Sequence, residues 1–269
     1  MAGFKDVINN LDTMSVRDLA KILRECMAND FDEVIRTLQE NREKILGLVQ
    51  SIIPKCSLGD LGVLLYTIHI ANADIYEDLV DILIMYKSQI IDKIPRTEML
   101  EIGEFLGGIS HSEKCLVLIN PIVEIIRNRI GTYDIHKISE FITYLSVAKK
   151  QVAMHILTQI LSEIEASFSR SFPDVSLNDI ALFISSIGKI NRKEGIRILE
   201  KYNEKISSLF ARKLESLSTD DIASFLLLMA QLDISYVEEL LSKYQNEIEA
   251  VCGESAKTIV SFIDKIKEI

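Results

Sequence analysis

Four cationic side chains follow one another at intervals of four residues in the second half of the chain: Lys193, Arg197, Lys201 and Lys205. Residues four apart share one face of an α-helix, so this spacing predicts a basic stripe. Such a stripe could contact phosphate groups, with Tyr202 offering a ring for base stacking. It could instead be a solvated helix face, because neighbouring carboxylates can pair with the cations. Those carboxylates are Glu194, Glu200 and Glu204.

The segment that carries the stripe is repeated forty-two residues later, which helps to choose between these interpretations. Ser176–Ile184 returns as Ser218–Leu226, and Leu199–Ile206 returns as Leu241–Ile248. The second copy keeps one cation, Lys243, and the tyrosine, Tyr244. The other three stripe positions of that copy carry no cation. A continuous basic groove is therefore absent, which favours a solvated face and packing roles for the tyrosines. The candidate ligand-binding residues are Lys193, Arg197, Lys201, Tyr202, Lys205, Lys243 and Tyr244.

The other residues that could perform chemistry form no recognisable motif. The four histidines fall in four different places, with no H-E-x-x-H, and no cysteine belongs to a C-x-x-C pair. Gly107-Gly108 is the nearest approach to a phosphate loop, but it lies inside a predicted helix, where close packing or a kink is the favoured interpretation. We therefore expect a protein that is not an enzyme and has no cofactor, metal or small-molecule substrate.

The composition indicates which cellular environment and which classes of partner the protein suits. Apolar residues make up 48% of the chain and the net charge is −10, which suits a soluble protein that avoids membranes and polyanions. The N-terminus has no features of a signal or transit peptide. Four unpaired cysteines favour a reducing intracellular compartment, with the cytoplasm as the first expectation and an organellar matrix as the alternative if a presequence has been removed.

A helical template recurs along the whole chain. It has a large apolar residue at a position p, a small residue at p+1, and apolar residues at p+3, p+4 and p+7, which is one stripe of an α-helix. A serine with an aspartate three residues later precedes four of the copies and predicts an N-terminal cap. The matches for p are Leu19, Leu61, Ile102, Ile138, Ile180, Ile222 and Ile259.

Each of these first helices is followed by a longer, second helical segment. In the third repeat Asn120-Pro121 should interrupt that segment, whereas the others either break near Tyr202-Asn203 or continue as one helix. The sequence thus predicts an all-α fold, a right-handed α-solenoid that forms a single domain over residues 1–269. About six repeats of about 42 residues start near residues 15, 57, 98, 134, 176 and 218, with Phe4–Leu11 and residues 255–269 as partial caps at the two ends.

At the level of one repeat, the pattern Ser-x-x-Asp-Ile-Ala-x-Phe-Ile with its Lys-Tyr second helix resembles known α-solenoid repeats. It is most similar to the octotricopeptide- and heptatricopeptide-like repeats that accompany RAP domains and FAST-kinase-type proteins, and more loosely to HEAT or armadillo arrays. The organellar families imply RNA binding or ribonucleoprotein assembly. The acidic balance favours another function, a scaffold or adaptor that holds a protein partner along its concave, second-helix surface.

Overall fold

The computed structural model describes residues 14–267, which are all-helical and contain no strand. Within this range no helix is both long and apolar enough to cross a lipid bilayer. The α-helices are α1 Val16–Asn29, α2 Phe31–Glu40, α3 Arg42–Ile52, α4 Leu58–Ala71, α5 Ala73–Met85, α6 Lys87–Lys93, α7 Met99–Ile109, α8 Leu116–Ile130, α9 Ile135–Leu145, α10 Lys150–Ser171, α11 Leu177–Ile190, α12 Arg192–Lys213, α13 Thr219–Leu232, α14 Ile234–Lys243, α15 Gln245–Cys252 and α16 Ser255–Lys267. Short 3-10 helices occupy Ile94–Arg96, Glu113–Cys115, Phe172–Asp174 and Leu214–Ser216.

The predicted first helices are α1, α4, α7, α9, α11, α13 and α16. Each of four serines accepts a hydrogen bond from the backbone N–H of the aspartate three residues later, so the predicted caps are confirmed at Ser15, Ser57, Ser176 and Ser218. The reciprocal bond from the N-cap N–H to the aspartate completes a capping box at Ser218. Glu98, which stands at the cap position of α7, makes no side-chain cap bond.

Both predicted alternatives occur among the second helical segments, since some are one continuous helix and others divide into two. The segments α10 and α12 are each continuous, α12 through Tyr202-Asn203, whereas three others divide at Asn41, Tyr86 and Tyr244, where one helix ends and the next begins. The predicted break at Asn120-Pro121 is wrong. The chain changes direction earlier, at the 3-10 helix Glu113–Cys115, and α8 continues through Pro121 at the cost of one backbone hydrogen bond.

The described helices belong to two compact units, which we describe separately. Unit 1 contains α1 to α8 and residues 144–163. Here neighbouring first helices are joined by side chains 43 positions apart: Arg17 Nε lies 2.5 Å from Asp60, and Arg24 Nε donates to Thr67 Oγ1 over 3.0 Å. Between α4 and α7, Gly62 and Gly108 bring the two backbones into direct contact.

Unit 2 contains residues 133–143 and 164–269, of which the described part ends at residue 267. The same spacing of 43 joins its first helices: His136 Nδ1 lies 2.8 Å from Asp179 Oδ1, and Asn178 Nδ2 donates to Asp221 Oδ1 over 3.0 Å. Its core is rich in aromatic rings that are fully buried, namely Phe141, Phe168, Phe183, Phe210 and Phe225.

The small-residue position p+1 is buried in five first helices and half-buried in α13. The buried residues are Ala20, Gly62, Gly103, Ser139 and Ala181. In α16 the position carries Val260, which is 42% exposed. The small residues therefore lie where neighbouring helices pack, as the template predicts.

Replacing Ala181 with leucine is expected to lower the free energy of unfolding by about 1–3 kcal/mol, because the larger side chain overpacks a site with no exposed surface. Urea denaturation measures the effect. Ala250→Leu makes the same change on an exposed position of α15 and should stay within about 0.5 kcal/mol of the parent. Superimposable transitions for Ala181→Leu and the parent would contradict the packing role.

Candidate functional site

The basic stripe lies on α12, and all four of its cations are exposed. Arg197 donates to Glu194 on its own helix over 2.7 Å, the pairing that the sequence suggested. It also donates over 2.7 Å to Glu165, whose side chain on α10 is only 14% exposed, and Lys201 binds the other oxygen of that carboxylate. The two central cations are therefore engaged by a carboxylate that lies 32 and 36 residues earlier in the chain.

The charges of this cluster persist around neutral pH. Burial raises the pKa of Glu165, but hydrogen bonds from Arg197 and Lys201 outweigh burial and hold the pKa below its ordinary value. The hydrogen bond to Glu165 raises the pKa of Lys201. A phosphate group would have to compete with Glu165 for both cations.

Tyr202 packs into the core of unit 2. It is 4% exposed, and its ring lies edge-on to Phe168 with centroids 4.9 Å apart and stacked on Phe172 at 5.9 Å. Lys201 and Lys205 place their ammonium groups 5.5 and 5.7 Å from its centroid. A buried ring does not offer a face for base stacking, so the geometry favours the packing interpretation.

Tyr244, the counterpart of Tyr202, is half-buried. Its hydroxyl donates to the Ser207 carbonyl over 3.4 Å, and its ring centroid lies 5.7 Å from that of Phe210. Lys243 stands over the Tyr244 ring at 5.2 Å. These two candidate residues thus contribute to the contact between second helical segments in unit 2.

Sequence reasoning separated the four histidines, but two of them meet in unit 1. The rings of His69 and His111 stack with centroids 4.2 Å apart and an interplanar angle of 17°. His69 Nδ1 and His111 Nε2 are buried without a hydrogen-bond partner. The sequence could have predicted this contact, because His69 and His111 are 42 positions apart, which is the repeat length.

The histidine pair is held neutral by its surroundings. Burial lowers the pKa of His69, and burial lowers the pKa of His111 to about 4, with the nearby His69 and Lys149 adding to the effect. Buried Tyr76 holds the backbone beside the pair in place. Its hydroxyl donates to the Gly108 carbonyl over 3.1 Å and accepts from the backbone N–H of His111 over 3.2 Å. Among residues 14–267 no group of three His, Cys, Asp or Glu side chains is placed to hold a metal ion.

A cleft of about 260 Å³ lies in unit 1, where α8 and α10 begin. Its floor is built from buried serines: Ser110 Oγ donates to the Gly107 carbonyl over 2.8 Å and accepts from the Lys149 N–H over 2.9 Å, while Ser112 donates to Glu77 over 2.8 Å. Leu116, Asn120, Gln151, Val152 and His155 are among the residues that line the cleft.

One residue of this lining, Leu116, is a large apolar side chain with substantial exposure, which makes the cleft a candidate binding site. Five of the ten large apolar residues with substantial exposure in the described part of the chain lie between positions 116 and 154. The five are Leu116, Val117, Tyr144, Val147 and Met154. Sequence reasoning missed them, because their exposure depends on how the start of α8 and the start of α10 pack.

Comparison with protein-family models, with curated proteins and with solved structures finds no match for this chain. The resemblance to helical repeats of RNA-associated, HEAT or armadillo type therefore stays a prediction.

Proposed function

We propose that this protein is a non-enzymatic scaffold or adaptor that binds a segment of a partner protein on the surface of its second helices. The proposal includes a right-handed α-solenoid of about six repeats, in which the second helices line one face. The observation that carries the binding function is the cleft at the start of α8 and α10, with its hydrogen-bonded serines and the exposed Leu116.

The chemistry of the cleft suits a peptide better than a charged metabolite. Leu116 and Val152 offer apolar contact, while the exposed pair Asn120 and His155, 3.1 Å apart, offers hydrogen bonds to a peptide backbone. Its charges are of both signs, because Lys149 lies 3.9 Å from Glu113. A site with a small number of polar groups on an apolar surface is the usual form of a peptide groove.

Selection from a displayed peptide library tests this function. We expect peptides with apolar anchors to be enriched on the parent protein and to lose about tenfold or more in affinity on Leu116→Asp, because a charge replaces an apolar contact in the cleft. Met85→Asp is the matched control, since Met85 is an exposed apolar residue of unit 1 that does not line the cleft. Enrichment that is equal on Leu116→Asp and the parent would contradict the proposal.

RNA binding through the basic stripe is the alternative outcome. It predicts retention on polyuridine resin at moderate salt that is lost when Lys193, Arg197, Lys201 and Lys205 are changed to glutamine. The pairing of Arg197 and Lys201 with Glu165 and the burial of Tyr202 favour the scaffold.

A further inference from the structure

A second and larger cleft, of about 560 Å³, lies in unit 2 between α14–α15 and α16. We call it the terminal groove. One wall carries Leu241, Gln245 and Ile248, and the other carries Ala256 and Val260. It is distinct from the cleft that carries the proposed function, which lies in unit 1.

Two equivalent positions within unit 2 are occupied by aromatic rings. The ring of Tyr202, from α12, packs against Phe168 at the end of α10. One repeat later the ring of Tyr244 packs against Phe210 at the end of α12, and its hydroxyl reaches the Ser207 carbonyl. The counterpart of Ser207 a further 42 residues on is Glu249, which lines the terminal groove. The second segments α10 and α12 thus each receive an aromatic side chain from the second segment that follows.

Two local differences distinguish the end of α15 from the ends of α10 and α12. Phe168 and Phe210 have Cys252 as their next counterpart, a much smaller side chain. In addition, 3-10 helices follow α10 and α12, at Phe172–Asp174 and Leu214–Ser216, whereas α15 leads directly to α16 through Gly253. Gly253 has φ of 55°, a conformation that glycine adopts without strain, and this turn takes the place of the 3-10 helix.

The outer surface of α16 is apolar and exposed. Phe262 is 54% exposed, whereas Phe183 and Phe225, at the same template position, are fully buried. Val260 is 42% exposed on the groove wall. The charged residues that line the groove are of both signs, Glu249 and Asp264 against Lys257, so an inserted apolar ring rather than net charge would select the ligand.

We propose that the terminal groove binds an amphipathic helix of a partner protein, which inserts a tyrosine or phenylalanine against Ile248 and Glu249. The contact would continue the packing that Tyr202 and Tyr244 already make between successive second segments of unit 2. A helix laid into an apolar groove with one aromatic anchor is a common mode of peptide recognition.

The chain supplies its own probe for this test. A fluorescent, hydrocarbon-stapled peptide with the sequence of Arg192–Lys213 is a preformed helix that carries Tyr202. We expect saturable binding to the full-length protein in fluorescence anisotropy, and about tenfold weaker binding when the peptide carries Tyr202→Ala. Val260→Asp in the protein should also weaken binding about tenfold, whereas Ile70→Asp, at a similarly exposed β-branched residue of unit 1, should leave it unchanged.

Each other outcome overturns the proposal. Absence of saturable binding up to about 1 mM peptide, or equal binding by Val260→Asp and Ile70→Asp, shows that the groove does not recognise a helix. Concentration-dependent dimerisation in sedimentation velocity, abolished by Val260→Asp, shows that a second copy of the chain is the occupant instead. Ser261→Arg, at an exposed residue on the groove wall, should block the peptide equally and guards against misfolding of the first variant.

Discussion

Gly108→Ala is expected to lower the free energy of unfolding by about 3 kcal/mol or more, because the added methyl group meets backbone atoms of a neighbouring helix. A Cβ at this position would overlap the Gly62 carbonyl group and lie 2.7 Å from the Gly62 Cα. These are backbone atoms, which cannot rotate away as a side chain can. The contact between α4 and α7 would have to open along the core of unit 1.

The matched control is Gly47→Ala in α3, where a Cβ would have nothing within 4 Å. The same change there should stabilise the protein by about 0.5–1 kcal/mol, because alanine loses less backbone entropy in a helix than glycine does. Urea denaturation of the two variants should therefore show shifts of opposite sign. A small effect of Gly108→Ala would contradict the close contact of the two backbones.

The stacked histidines should make the protein less stable in acid. Burial holds the pKa of both rings below the ordinary value of about 6.5. Below that pH, the two histidines therefore bind protons more readily in the unfolded chain than in the folded chain. Stability is thus fully present above about pH 6.5 and falls as the pH decreases toward about 4, the pKa of His111. Since the rings are only partly buried, we expect a loss of about 1–2 kcal/mol between pH 7 and pH 5.

The comparison is with the double variant His69→Phe, His111→Phe, which keeps two stacked rings but does not titrate. Urea denaturation at both pH values should show a smaller loss in the variant than in the parent. Groups around the pair are unchanged in this comparison, namely Tyr66, Tyr76, Glu77, Cys115 and Lys149. Equal losses would show that the histidines do not couple folding to pH.

His136 provides a control of opposite sign. Its hydrogen bond to Asp179 raises the pKa of the imidazole, so its contribution is fully present below about pH 6.5 and is lost as the pH rises through the higher folded pKa. The carboxylates with lowered pKa, Glu163, Glu165 and Asp221, lose their contribution only below about pH 4.5. His136→Gln should therefore cost more stability at pH 5 than at pH 8.

The features that the sequence predicted well are local ones. The caps at Ser176 and Ser218 depend on residues three apart, and the apolar stripe depends on one helical period, so both follow from short-range geometry. The interpretation of Gly107-Gly108 as close packing is confirmed for Gly108 by its contact with Gly62. That contact was implicit in the small-residue position of the template.

The features that the sequence could not predict depend on packing between distant segments. Nothing near Arg197 and Lys201 indicated that Glu165, on another helix, would bind both. Pro121 suggested a break, but the start of α8 is set by the 3-10 helix before it. The cleft in unit 1 could not be predicted from the sequence, because it depends on the positions of α8 and α10 relative to each other. The solenoid arrangement and the partner of the second helices stay proposals.

The cross-helix bonds at a separation of 43 residues limit how the length of this chain can vary. Arg17 with Asp60 and Arg24 with Thr67 are two turns apart on one pair of helices, and both bonds require the same register. One extra residue within either helix would rotate everything beyond it by about 100° and advance it by about 1.5 Å, which separates one of the two pairs. Natural insertions and deletions should therefore be confined to the turns, and an engineer who adds a tag or loop should place it there.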